Sequence, residues 1–150
     1  MNTVKEIISA ANSGNAYSQT QLGDAYCNGN GLEQDYILAF EWYLRAAKQG
    51  HGEAQYNVAF AYANGEGTLK NMAEAIKWYE KSADQGIALA QYVLAKILID
   101  GQHIAQGHLK GWNYFIKLQI RDWTLRNLTL EYAILKVGLL RQVPKWELSI

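Results

Sequence analysis

Cysteine and proline each occur once in this 150-residue chain, as Cys27 and Pro144. A lone cysteine cannot close an intramolecular disulfide, which excludes a small domain held together by disulfides. A lone proline near the end leaves almost the whole chain free of the residue that interrupts helices. Long apolar runs are missing too, and nothing approaches the ~20 residues that a bilayer-spanning helix needs. The order of basic, apolar and small residues that makes a secretory signal is not found at the N-terminus, where Lys5-Glu6 interrupts the only short apolar run. The expectation is a cytoplasmic protein with no membrane contact. Net charge is absent as well, with 14 basic and 14 acidic side chains. That balance argues against nucleic acid as a partner, since nucleic-acid binding needs a basic face.

The charge is nevertheless uneven. Residues 1–86 carry six Lys or Arg and ten Asp or Glu, a net −4, while residues 87–150 carry eight and four, a net +4. Two readings fit: charges scattered over solvated faces, or a dipolar molecule that steers a charged partner or stacks on itself. With 49% apolar and 19% charged residues, the composition is that of a folded domain, and no linker or low-complexity tract divides it.

What the chain does contain is a period. Residues 36 positions apart keep matching: Gly14, Gly50 and Gly86; Gln19, Gln55 and Gln91; Tyr26 and Tyr62; Gly29, Gly65 and Gly101; Trp42, Trp78 and Tyr114. A fixed period of this size marks a solenoid of stacked helix pairs. In the second unit, Tyr56, Val58, Ala59 and Tyr62 fall at helical spacing within 53–64, and Ala75, Ile76, Tyr79 and Ala83 do so within 72–85. Ala46, Ala47, Ala59, Ala75 and Ala83 let helix axes approach closely, while Trp42, Tyr43, Trp78 and Tyr79 fill the remaining space. Asn28-Gly29 with Gly31, and Asn64-Gly65 with Gly67, provide the residues that let a helix stop and reverse. His103 stands where the third unit should have its second turn glycine, which predicts an irregular turn after Asp100.

The pattern A-Q-Y-x-L/V-G/A-x-x-Y-x-x-G-x-G followed by A-x-x-W-Y-x-x-A-A-x-Q-G resembles the Sel1-like repeat, a relative of the tetratricopeptide repeat. The resemblance is close over 15–86 and looser over 87–121. It implies an all-α fold, a right-handed α–α superhelix of about eight helices in one domain. An opening helix at 3–13 precedes repeats at 15–50, 51–86 and 87–122, and a C-terminal capping helix and tail occupy 123–150. It also implies a module that binds a protein or peptide on the concave face lined by the first helix of each repeat. Matching the motifs puts Tyr17, Thr20, Asp24 and Asn28 there from the first repeat, then Glu53, Tyr56, Phe60 and Asn64 from the second. The third contributes Leu89, Tyr92, Lys96 and Asp100. Phe60 is the most informative of these, because its counterparts are Asp24 and Lys96 and packing alone does not demand an aromatic there.

No constellation of residues suggests an enzyme, a cofactor or a metal. His103 and His108 with Asp100 have no helical ligand spacing, and a turn accommodates such polar residues without a metal. Cys27, at the end of a first helix, reads as a half-buried structural thiol, and His51, after a turn glycine, as an exposed residue. The N-G-x-G turns end helices instead of following strands, so they do not cradle phosphate. The C-terminal helix has apolar residues on two sides, with Leu130, Ile134 and Val137 opposite the main stripe. It therefore needs cover from its own tail, which includes Trp146, or from another chain, so a homodimer is one option. The functional expectation is a non-enzymatic adaptor or scaffold. The alternative is a small cytoplasmic immunity protein that occupies the active site of a toxin.

Overall fold

A computed structural model describes residues 3–99. The chain divides into two compact units between Leu94 and Ala95, so all but the last five described residues belong to the first. Six helices follow in order: α1 Val4–Asn12, α2 Ala16–Asn28, α3 Tyr36–Lys48, α4 Gly52–Asn64, α5 Met72–Asp84 and α6 Ala88–Ile99. There is no strand among the described residues, and the all-α solenoid expected from the period is what is found. The expected irregular turn after Asp100, the seventh and eighth helices, and Leu130, Ile134, Val137 and Trp146 lie outside the described residues.

The helix starts follow from local chemistry. Thr3 caps α1 in a reciprocal capping box with Glu6, and Asn15 caps α2 by accepting from the Ser18 N–H at 2.8 Å. Asp35 and Asn71 cap α3 and α5 through the same kind of side-chain oxygen. His51 caps α4, with its ring nitrogen 3.4 Å from the Ala54 N–H and 3.0 Å from the Thr20 hydroxyl. This corrects the expectation of an exposed His51, whose ring is held between two repeats.

Helix α2 packs on α3, α4 on α5, and α3 on α4, with α1 covering α2. The core between these helices is built largely of alanine, with Ala46, Ala54, Ala59 and Ala75 fully buried and Leu22, Val58 and Tyr79 as its larger members. Small side chains bring the helix axes together, and the few large ones fill the gaps that remain.

A ladder of glutamines links each helix pair to the next. The Gln19, Gln55 and Gln91 amides donate to the carbonyls of Ala11, Ala47 and Ala83 at 3.2, 3.2 and 3.0 Å. Gln49 in turn donates to the Gln19 side chain at 2.7 Å, and Gln85 to Gln55 at 2.6 Å. The carbonyls of Ala11, Ala47 and Ala83 lie in the last turns of α1, α3 and α5, where they accept turn bonds from the Gly14, Gly50 and Gly86 N–H groups at 3.1, 3.0 and 2.9 Å, and the repeated glutamine adds a second donor from the next helix.

One turn glycine fixes how successive pairs meet. Gly67 has φ +70°, and a Cβ built on it would collide with the Tyr36 carbonyl at the start of α3. The turn of the second repeat therefore sits directly on the backbone of the first.

Candidate peptide-binding cavity

An open cavity of about 320 Å³ lies where α2, α3 and α4 meet. The last turns of α2 supply Asp24, Cys27 and Asn28, and α4 supplies Tyr56, Asn57, Phe60 and Ala61. Tyr36, Ala39, Phe40 and Tyr43 of α3 form its base, and Glu66 enters from the turn after α4. The volume is at the lower end of the range of ligand pockets, enough for one or two side chains.

The walls are held from behind. The Tyr43 hydroxyl donates to Asp24 Oδ1 at 2.7 Å, and its ring fills the space beside Gly23, where a Cβ would meet Tyr43 Cε1 at 2.5 Å. Burial pushes the Tyr43 phenol well above its usual range, and the hydrogen bond to the Asp24 carboxylate adds to the shift. Tyr56 lies between the Tyr79 ring at 5.7 Å and the Phe60 ring at 6.4 Å, and burial raises its phenol too. Phe40 meets the Tyr62 ring edge-on at 5.2 Å. These contacts fix the aromatic surface before any partner arrives. Phe60 and Tyr36 keep 42% and 44% of their surface exposed, so two of the lining rings are open to a partner.

Cys27 is half-buried. Burial pushes its thiol up, the neighbouring Tyr43 hydroxyl pulls it down, and the negative charges of Glu66 and Asp24 push it up again. The net rise keeps it a thiol at neutral pH, which is the opposite of what a nucleophile needs. Among the described residues, no group of three or more His, Cys, Asp or Glu is placed to hold a metal ion. None of the described helices is long and apolar enough to cross a membrane.

The structure gathers four of the expected partner-binding residues, Asp24, Asn28, Tyr56 and Phe60, around this one cavity. Tyr17, Glu53, Asn64 and Leu89 are exposed but outside it, and Tyr17 stands edge-on to His51 at 6.3 Å. The Asn64 amide donates back to the Phe60 carbonyl at 3.0 Å. Tyr92 is half-buried, Lys96 is exposed, and Asp100 lies outside the described residues.

Thr20 is the correction. It is only 4% exposed, and its hydroxyl donates to the Ala16 carbonyl at 2.9 Å and faces His51, so it joins repeats instead of meeting solvent. Motif matching put Thr20 on the concave face, but its side of α2 is the one turned to the next repeat. Tyr36, Asn57 and Glu66 were not expected at the site. Tyr36 and Glu66 carried the signal that singled out Phe60, since their 36-residue counterparts Met72 and Gln102 differ from them in ring and charge, whereas Asn57 has the amide Gln21 one repeat earlier and carried none.

A family model described as the Sel1 repeat matches residues 16–51, 52–87 and 88–118. The chain is similar to a Sel1 repeat protein from Oxalobacter formigenes of known crystal structure, at 29% identity and TM-score 0.75, over 85% of this chain and 97% of that one. It is also similar to c5321, a protective antigen of uropathogenic Escherichia coli with an SLR fold, at 32% identity and TM-score 0.72, over 77% of this chain but 25% of that one. Cysteine-rich protein B of Helicobacter pylori, at 24% identity and TM-score 0.56, shares the fold over 58% of this chain and 65% of its own length. No curated protein matches the chain significantly.

Proposed function

The chain belongs to the Sel1 repeat family, and from that premise we propose that it is a non-enzymatic adaptor that binds a protein segment in the cavity between α2 and α4. Repeats of this family are generally protein-interaction scaffolds and are typically non-enzymatic. The observation that carries the reading is Phe60. It is a large ring, 42% exposed, at the mouth of a preformed aromatic cavity, where the same register position holds Asp24 one repeat earlier and Lys96 one repeat later. An exposed aromatic that the repeat does not require has the character of an interface anchor. The surrounding rings give contact area at low entropic cost, while Asn28 and Asn57 offer hydrogen bonds to the backbone of an extended segment.

The test uses the full chain as bait in extracts of its source cell, beside Phe60→Ala and Leu69→Ala. Leu69 is 88% exposed and is not part of the cavity, so it serves as a control for exposed apolar surface. The reading expects a stoichiometric partner that is held by the wild type and by Leu69→Ala but lost with Phe60→Ala. A partner that Phe60→Ala holds as well as the wild type would move the interface elsewhere.

A further inference from the structure

Resting on the reading of this cavity as a partner-contact surface, we infer that its occupant is an arginine side chain of the partner segment, stacked on the rings and paired with Asp24 and Glu66. Both carboxylates line the cavity, and its other lining residues include no Lys, Arg or His. Among the described residues neither carboxylate forms an ion pair. A carboxylate can accept about four hydrogen bonds, so the single bond from Tyr43 leaves Asp24 with acceptor capacity. Charge complementarity therefore asks for a cation.

The aromatic lining narrows which cation. Tyr36, Phe40, Tyr43, Tyr56 and Phe60 bring five rings to one cavity, and no cation sits on any of them among the described residues. Elsewhere this protein does cover aromatic faces with its own cations, Arg45 over Trp42 and Lys81 over Trp78, each at 4.3 Å from the ring centre. A planar guanidinium can lie against a ring and present a fork of N–H donors to a carboxylate at the same time, whereas an ammonium is a strongly hydrated point charge.

The repeat does not impose this composition. One step further along the register, Asp24 becomes Phe60, Tyr36 becomes Met72 and Phe40 becomes Ile76. Phe60 becomes Lys96 and Glu66 becomes Gln102, so both carboxylates are lost and a cation is gained. The combination of acids and rings belongs to the first inter-repeat step alone. It also lies in the half of the chain with net −4, which favours approach of a basic segment. The field of the two carboxylates reaches the interior of the cavity, because both push up the thiol of Cys27.

The experiment titrates the isotope-labelled full chain with acetyl-arginine methylamide, and in parallel with the lysine and citrulline analogues, followed by NMR. Citrulline keeps the shape of arginine and removes the charge. The arginine amide is expected to give saturable shifts at Asp24, Phe60 and Glu66 and to bind at least about tenfold more tightly than citrulline, with affinity falling as salt rises. Glu66→Gln and Asp24→Asn are expected to remove most of that preference while keeping the melting temperature of the wild type. Equal binding of citrulline, equal binding of lysine, an unchanged preference in Glu66→Gln, or no saturable shift at the cavity would each overturn the arginine assignment. These failures differ from failure of the contact surface itself, which is read from partner capture by Phe60→Ala.

Discussion

Replacing Gly67 with alanine tests the way the repeats are joined. Two costs arise at that position. The first is conformational: at φ +70° an L-residue pays about 1–2 kcal/mol for the left-handed region. The second is steric, because the new Cβ would fall on the Tyr36 carbonyl and its peptide carbon, backbone atoms at the start of α3 that cannot rotate away. Forcing such a contact costs about a further 1–3 kcal/mol as the turn and α3 move apart. Gly50 separates the two costs, since it has φ +92° and a Cβ added there would meet nothing within 4 Å. Gly50→Ala should therefore show the conformational cost alone, and Gly67→Ala should exceed it by about 1–3 kcal/mol. Urea unfolding followed by circular dichroism measures both, with the slope of the transition checked for constancy. Equal destabilisation by the two substitutions would refute the argument that the second turn is seated on the backbone of the first repeat.

Other outcomes follow from the same structure. Gln55→Ala removes one of two donors on the Ala47 carbonyl, which keeps the Gly50 N–H at 3.0 Å, and takes the acceptor from Gln85, so it should destabilise the chain by about 1–2 kcal/mol in urea unfolding. The exposed Gln34→Ala, which loses only surface bonds, should cost well under about 1 kcal/mol. The phenols of Tyr43 and Tyr79 are both raised by burial, Tyr43 also by its bond to Asp24 and Tyr79 by Tyr56. A raised folded-state value means that stability is fully present below the unfolded value near ~10 and falls as pH rises past it, by up to about 1.4 kcal/mol per pH unit for each phenol. Unfolding measured between neutral pH and the alkaline range should show that fall, and Tyr43→Phe should reduce its slope; a slope unchanged in Tyr43→Phe would contradict the assignment.

The sequence carried the fold further than the site, for a physical reason. Glycines, glutamines and alanines are fixed by backbone geometry and helix contact, and both recur with the repeat, so Gly50, Gln55 and Ala47 could be placed from their spacing alone. Helix stops were legible in the turn glycines such as Gly29 and Gly65, whereas the side-chain caps Thr3, Asn15, Asp35 and Asn71 came from the structure. The cavity is different, since it forms between repeats and is lined from two first helices, one second helix and a turn. Spacing along the first helices found Asp24, Asn28, Tyr56 and Phe60, but it could not show that Tyr36 and Phe40 of α3 and Glu66 of the following turn would face them. The same spacing misplaced Thr20, because a helix carries inter-repeat contacts on one flank and open surface on the next, and a motif match does not distinguish a flank from a face. His51 went astray for a related reason: a residue after a turn glycine reads as exposed until its partner across the repeat boundary, Thr20, is known.

The central claim is that Phe60 serves a partner and not the core, and a single comparison tests it most directly: the melting temperature and the partner affinity of Phe60→Ala, measured on the same preparation. With 42% of its surface exposed, Phe60 should contribute little to stability, so the truncation should lower the melting temperature by no more than about 2–4 °C while weakening partner binding by about tenfold or more. A large fall in melting temperature with affinity preserved in the folded fraction would make Phe60 a packing residue and contradict the account.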